Sequence, residues 1–171
     1  PTPNRFTSYN TRAEEDVPFA SSLPQAFKQA GATTVSVGKI FHHQFDMADR
    51  GWSKPPWRPG ISHSAYHLDE TGEKGNPNTG RGFMVESADV PDNAYFDGQV
   101  AEKAIAELRQ LAASGDRFFL GCGFIRPHMP FYAPAPYWNL YTREDIGIAD
   151  NRFKPVGTPR QLKSSSEPRS Y

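Results

Sequence analysis

The chain has 171 residues, 19 Lys and Arg against 19 Asp and Glu, and a formal net charge of zero. That length suits a domain with a real hydrophobic core, and the balanced charge offers no basic excess for nucleic acid. A single cysteine, Cys122, excludes an internal disulfide and a cysteine zinc cluster, and no apolar run is long enough to span a bilayer.

Pro1, Pro3 and Pro18 break up residues 1–20, which read as extended or irregular. Ser21 or Ser22 then caps a helix with Pro24 in its first turn; Leu23, Phe27 and Ala30 share a face, and Gly31 ends it. Residues 32–37 read as a buried strand leading into Gly38-Lys39. Residues 43–82 form a long, polar, turn-rich loop with Trp52, Trp57, Pro55-Pro56, Pro59-Gly60, Gly75-Asn76-Pro77 and Gly80-Arg81-Gly82. A loop of that length in a compact domain is uncommon and often functional. Residues 83–86 read as a short strand and 89–92 as a turn. From about 96 to 113 the pattern is helical, with Val100, Ala104, Leu108 and Leu111 or Ala112 on one face. Glu102, Lys103, Glu107, Arg109 and Gln110 fall mainly outside that stripe, and Gly115 marks the stop. A buried strand at 117–124 follows, with Cys122 as a small buried residue within it. Two helix–strand units argue for an α/β domain with at least partly parallel strands, and the two strands are expected as neighbours or near-neighbours in one sheet. Residues 134–141 have room for one helical turn. From 142 onward Pro155, Pro159, Pro168 and Ser164-Ser165-Ser166 read as an irregular tail.

The chemistry gathers at two strand ends. Val35-Ser36-Val37-Gly38 runs straight into Lys39, with His42 and His43 close behind. In open α/β sheets ligands bind outside the carboxyl ends of the strands. A compact ammonium with three donors, beside imidazoles that donate, accept or shuttle protons near neutral pH, suits a sulfate, phosphate or carboxylate. The alternative is a surface lysine beside two loop histidines. After the second strand, Arg126-Pro127-His128-Met129-Pro130 sets His128 between two prolines that restrict the backbone, either as a positioned acid–base group or as a loop cap. Trp52, Trp57, His63, Tyr66 and His67 either line a sugar-binding rim or pin the loop to the domain. A metal role for His63 and His67 needs a helix that this segment does not signal.

These motifs, in this order, resemble one family. Gly38-Lys39-Ile40-Phe41-His42 is similar to the Gly-Lys-x-x-His stretch of type I sulfatases in the iduronate-2-sulfatase-like branch. Phe119 through Phe131, ending Arg126-Pro127-His128-Met129-Pro130-Phe131, resembles that branch's strand and its Lys/Arg-Pro-His-x-Pro-Phe loop. The Ser22 to Gly31 helix, Asp89-Val90-Pro91 and the 96–112 helix fall in the expected order. The resemblance covers most of residues 1–142 as the central part of a catalytic domain, with 143–171 as a tail of the same domain. It implies part of an alkaline-phosphatase-like α/β sheet sandwiched by helices, incomplete in this chain. It also implies hydrolysis of sulfate esters, of sulfated sugars above all, by a periplasmic or secreted protein.

In that family a cysteine or serine becomes formylglycine, whose hydrate attacks sulfur, and a calcium ion held mainly by aspartates holds the sulfate oxygens. Carried over by position, Lys39 neutralises sulfate oxygen charge, His42 bonds the formylglycine hydroxyl and helps expel sulfate, and His128 contacts the sulfate or protonates the leaving alcohol. His43, Trp52, Trp57 and Arg126 are candidates for substrate binding. Lys39, His42 and His128 are then expected to gather at one rim. The sequence has no Cys-x-Pro-Ser-Arg or Ser-x-Pro-Ser-Arg stretch, and Cys122 precedes Gly123-Phe124-Ile125-Arg126, so it is not the modified residue. The paired aspartates of the family's first strand, its later Asp-His or Asp-Asn metal pair and a second active-site lysine are absent too. No metal ligand is therefore assigned, calcium is expected only in a full-length parent, and the chain reads as one wall of a sulfate site. The alternatives are a phosphodiesterase or phosphonate hydrolase of the same superfamily, a truncated protein that only binds sulfated glycan, and a structural remnant.

Overall fold

A computed structural model describes residues 11–68 and 81–159. In chain order the elements are α1 (Ala13–Asp16), α2 (Leu23–Gln29), β1 (Thr33–Gly38), α3 (Ala48–Gly51), β2 (Val85–Ala88), a 3₁₀ turn (Asp92–Ala94), α4 (Phe96–Ser114), β3 (Phe118–Gly123), β4 (Phe131–Pro134) and α5 (Ala135–Trp138). Two compact units divide the chain, one of residues 1–63 with 92–126, the other of residues 64–91 with 127–171.

The first unit is built on a parallel strand pair. The Ser22 hydroxyl accepts from the Gln25 N–H at 3.4 Å, and Pro24 sits in the first turn of α2. Gly31 follows that helix with φ of 81°. The next residues, Thr33, Thr34, Val35 and Val37, are β-branched, stiff at χ1 and well suited to a pleated surface. β1 and β3 run parallel in one register, Thr33 opposite Phe118 through Gly38 opposite Gly123, the closer of the two arrangements, neighbours or near-neighbours, that the sequence predicts.

Alternation gives this pair two faces. On one, Val35 and Val37 join Phe96, Val100 and Leu111 of α4 in a buried cluster flanked by Phe118 and Leu120. On the other, Phe119 stacks on Phe27 of α2 with ring centroids 4.7 Å apart and lies 6.1 Å from Trp52. Helices cover both faces, which is the expected α/β sandwich. Full burial of each Val or Leu side chain contributes roughly 1.5–3 kcal/mol. The second edge of β1 is closed by the long loop: Ser53 N–H donates to Thr34 O at 2.8 Å, Trp57 N–H to Ser36 O at 3.0 Å, and Gly38 N–H to Trp57 O at 2.8 Å.

Four details of this unit depart from the sequence reading. β3 is half-buried and Cys122 is exposed, because among the described residues β3 is bonded along one edge only. On α4, Leu108 is 47% exposed while Glu107 is 3% exposed; at about 100° of turn per residue, 107 falls within about 20° of Val100, with Leu111 on the other side of Val100, whereas 108 lies about 80° round from Val100, at the edge of the stripe. Lys54 and Lys103 pair with the Glu107 carboxylate. The 43–68 part of the loop holds α3, tied to α2 by Lys28, whose ammonium donates to Asp49 O at 2.9 Å and Trp52 O at 2.6 Å. Finally, α1 lies in residues read as irregular. The buried Asp46 carboxylate accepts its Ala13 N–H at 2.8 Å and Glu14 N–H at 3.1 Å, satisfying donors a helix start leaves open. Single turns are too short to show periodicity.

The second unit carries the parallel pair β2 and β4, Val85 opposite Phe131 through Ala88 opposite Pro134. β2 begins two residues later than the predicted strand. β4 has no counterpart in the sequence reading, since the three residues between Pro130 and Pro134 give no usable alternation. Tyr132 is buried with its ring 5.2 Å from that of Tyr66. Glu86 is buried and accepts the N–H groups of His67 at 3.0 Å and Leu68 at 3.1 Å. α5 fills the predicted helical turn, and residues 139–159 carry no helix or strand. The readings at Gly75-Asn76-Pro77 and Ser164-Ser165-Ser166 lie outside the described residues.

Candidate active site

The turn after β1 is shaped by two glycines. Gly38 has φ of 78°, and a Cβ there would lie 2.1 Å from the Gly123 carbonyl oxygen; a Cβ on Gly123 would lie 1.9 Å from the Lys39 carbonyl oxygen. Bare backbones can cross this closely, and substituted ones cannot. Lys39 N–H then donates to Gly123 O at 2.7 Å, so the first residue past the sheet is set by a backbone bond. The Lys39 side chain is half-buried, and its ammonium has no hydrogen-bond or ion-pair partner among the described residues. His42 is exposed and His43 half-buried, their rings edge to face at 5.1 Å and 89°. The His43 Nε2 is buried with no hydrogen-bond partner among the described residues. The structure thus gathers Lys39, His42 and His43 in one turn at the carboxyl end of β1.

The end of β3 is fixed from α4. Asp97, in the first turn of that helix, accepts the Ile125 N–H at 2.8 Å and the Arg126 N–H at 2.9 Å, one on each carboxylate oxygen. Arg126 Nη2 donates to His63 O at 2.9 Å, so part of the guanidinium assigned to substrate holds the path of its own chain. Although Cys122 is exposed, partial desolvation of its thiol, then the Asp97 charge, pushes that thiol up, which keeps it protonated and a poor nucleophile. His128 belongs to the second unit and is exposed. Its Nδ1 lies 2.6 Å from Met129 O; a carbonyl only accepts, so Nδ1 carries the proton and the neutral ring has its lone pair at Nε2.

Trp52 is 3% exposed and packed beside Phe119, so little of its ring is open to solvent. Trp57 is half-buried, pairs its backbone with β1, packs against the Val35 and Val37 cluster and has the Lys103 ammonium 5.9 Å from its ring centre. Both pin the loop. Among the described residues no three His, Cys, Asp or Glu side chains gather to hold a metal. The buried carboxylates of Asp46 and Glu86 are taken by backbone N–H groups, so the described residues do not fit the calcium cage that the family implies.

Sequence reasoning missed Asp97 and Arg58. An acidic residue in a first helical turn reads as a dipole partner, which hides its reach across to the β3 exit. Arg58 lies in a proline-rich stretch with no periodicity to place it.

Comparison with known proteins supplies the family. The family model described as Sulfatase matches residues 3–165. Iduronate 2-sulfatase of Mus musculus and that of Homo sapiens are each 36% identical over 146 residues, 81% of this chain and 26% of theirs. A protein named Sulfatase from Formosa agariphila is 28% identical over 169 residues, 90% of this chain and 32% of its own. The chain spans about a quarter of the length of its mouse and human relatives. With nearly all of its residues inside the family match, and the glycine-crossed lysine turn in place, the chain belongs to the sulfatase family.

Proposed function

We propose that this chain supplies one wall of a sulfate site, and that the whole polypeptide hydrolyses sulfate esters of sugars. The observation that carries this is the unpartnered Lys39 ammonium, on a backbone held by the Gly38–Gly123 crossing and in the same turn as His42 and His43. Negative charge on the sulfate oxygens would be met by that ammonium, a cation whose point of departure from the chain is set by the sheet. His42 would bond the attacking hydroxyl, which the family draws from a formylglycine that no residue here matches. As the bond from sulfur to the ester oxygen breaks, its electron pair leaves with that oxygen. The charged His128 ring would then deliver a proton from Nε2, since Nδ1 is committed to the Met129 carbonyl. His43 and Arg126 would contact the rest of the substrate. The sugar is favoured because two relatives are named for iduronate, a sugar acid. By the same resemblance the protein works in the periplasm or outside the cell. No helix among the described residues is long and apolar enough to cross a membrane.

The test is aryl sulfate release by the full-length polypeptide and its Lys39→Ala variant. Turnover should fall about a hundredfold or more, the loss typical of removing one fixed donor, with thermal stability little changed. Unchanged turnover would remove Lys39 from the site.

A further inference from the structure

The Lys39 to His43 turn is strapped from outside the sheet by neighbouring side chains. Arg58 Nη2 donates to Phe41 O at 2.6 Å and to His42 O at 3.3 Å. Gln44 Nε2 donates to Pro56 O at 2.9 Å. Arg58 stands on firm ground, because Trp57 beside it is bonded on both sides to β1. The carbonyls of residues 41 and 42 belong to the two peptide planes that flank the His42 Cα. Holding both planes fixes φ and ψ of His42, and with them the direction in which its imidazole leaves the chain. Burial holds the Arg58 pKa below the usual arginine value, and its Nε is buried without a hydrogen-bond partner among the described residues. Desolvating a cation to reach carbonyls is an expensive way to pack a loop. Such local costs concentrate where function needs a fixed geometry.

We propose that Arg58 is a positioning residue that sets the direction of the His42 imidazole in the turn that also carries Lys39. This rests on the proposed sulfatase function and adds a residue that the sequence motifs do not contain. Arg58 acts through His42 and touches no substrate, so its effect should fall on kcat, leave KM alone and vanish when His42 is gone.

The experiment is a double-mutant cycle in the full-length polypeptide with an aryl sulfate: Arg58→Gln, His42→Ala and both together. Arg58→Gln should lower kcat by about ten- to a hundredfold, the scale of a small misplacement of a catalytic group, with KM within about twofold. Arg58→Lys, which keeps the charge but not the fork, should fall between. In the His42→Ala background the Arg58→Gln step should cost less than about threefold, the mark of residues acting as a unit. An equal loss in both backgrounds, or a loss in KM alone, overturns the positioning role while leaving the sulfatase reading intact. If neither His42→Ala nor Lys39→Ala lowers turnover, the sulfatase site itself fails. Amide hydrogen exchange in the 171-residue chain gives a readout without activity. Arg58→Gln should speed exchange at Phe41 to His43 and spare β1, whereas uniform loss of protection would make Arg58 a fold residue and end the proposal.

Discussion

Gly38 carries more of the site than its missing side chain suggests. Its φ of 78° and the 2.1 Å approach of the Gly123 oxygen to a notional Cβ leave no room for alanine. Gly38→Ala should cost at least about 2 kcal/mol, the sum of left-handed strain and backbone displacement, read as a lowered urea midpoint. A loss under half of that would mean the strand ends do not cross as described. Lys39 and the histidines behind it were legible because a buried strand ending in glycine announces where the next side chains emerge. Arg58 was illegible for the opposite reason. Its role depends on which carbonyls fold back beneath it, and nothing in Pro55-Pro56-Trp57-Arg58-Pro59 states that.

At the level of elements, α4 shows how a polar residue joins an apolar stripe. Burial pushes the Glu107 carboxyl up, but hydrogen bonds and charge from Lys54 and Lys103 outweigh it, and the net shift is below the ordinary value of 4.5. A folded value below the unfolded one means the stabilisation is fully present above the ordinary glutamate range and is lost as pH falls through the lower folded value. Glu107→Gln should therefore destabilise by about 2 kcal/mol at neutral pH, with the gap from the unmodified chain closing as pH drops below about 4. Urea unfolding of both proteins across that range checks it; a gap independent of pH would show that the charge of Glu107 is not what holds it. The long elements α2 and α4 were readable through their own punctuation, Ser22, Pro24 and Gly31 for one, Gly115 for the other. β4 and the single turns α1 and α3 were not, because their stability lies in partners such as β2, Asp46 and Lys28 that are distant in sequence. Glu107 was misplaced because an amphipathic reading assigns charge to solvent and has no means of seeing Lys54 approach from another segment.

For the whole molecule, the sulfate wall proposed above comes without a Cys-x-Pro-Ser-Arg or Ser-x-Pro-Ser-Arg stretch in these 171 residues. The pure 171-residue chain, with calcium added, should release no aryl sulfate above a heat-killed control. Removing a nucleophile from a site whose parts act together costs on the order of a millionfold, and turnover by the chain alone would refute that argument. The pairing of β1 with β3 also has a consequence in time. Thr33 meets Phe118, and 118 minus 33 is a sequence separation of 85. Closing a loop of that size costs about 4 kcal/mol of chain entropy before the strands repay it. At a synthesis rate of about 5–20 residues per second, β1 waits roughly 4–17 seconds for its partner to be made. Throughout that interval Val35 and Val37, which end almost wholly enclosed, are an open apolar edge on the emerging chain, the kind of surface to which a holdase chaperone binds.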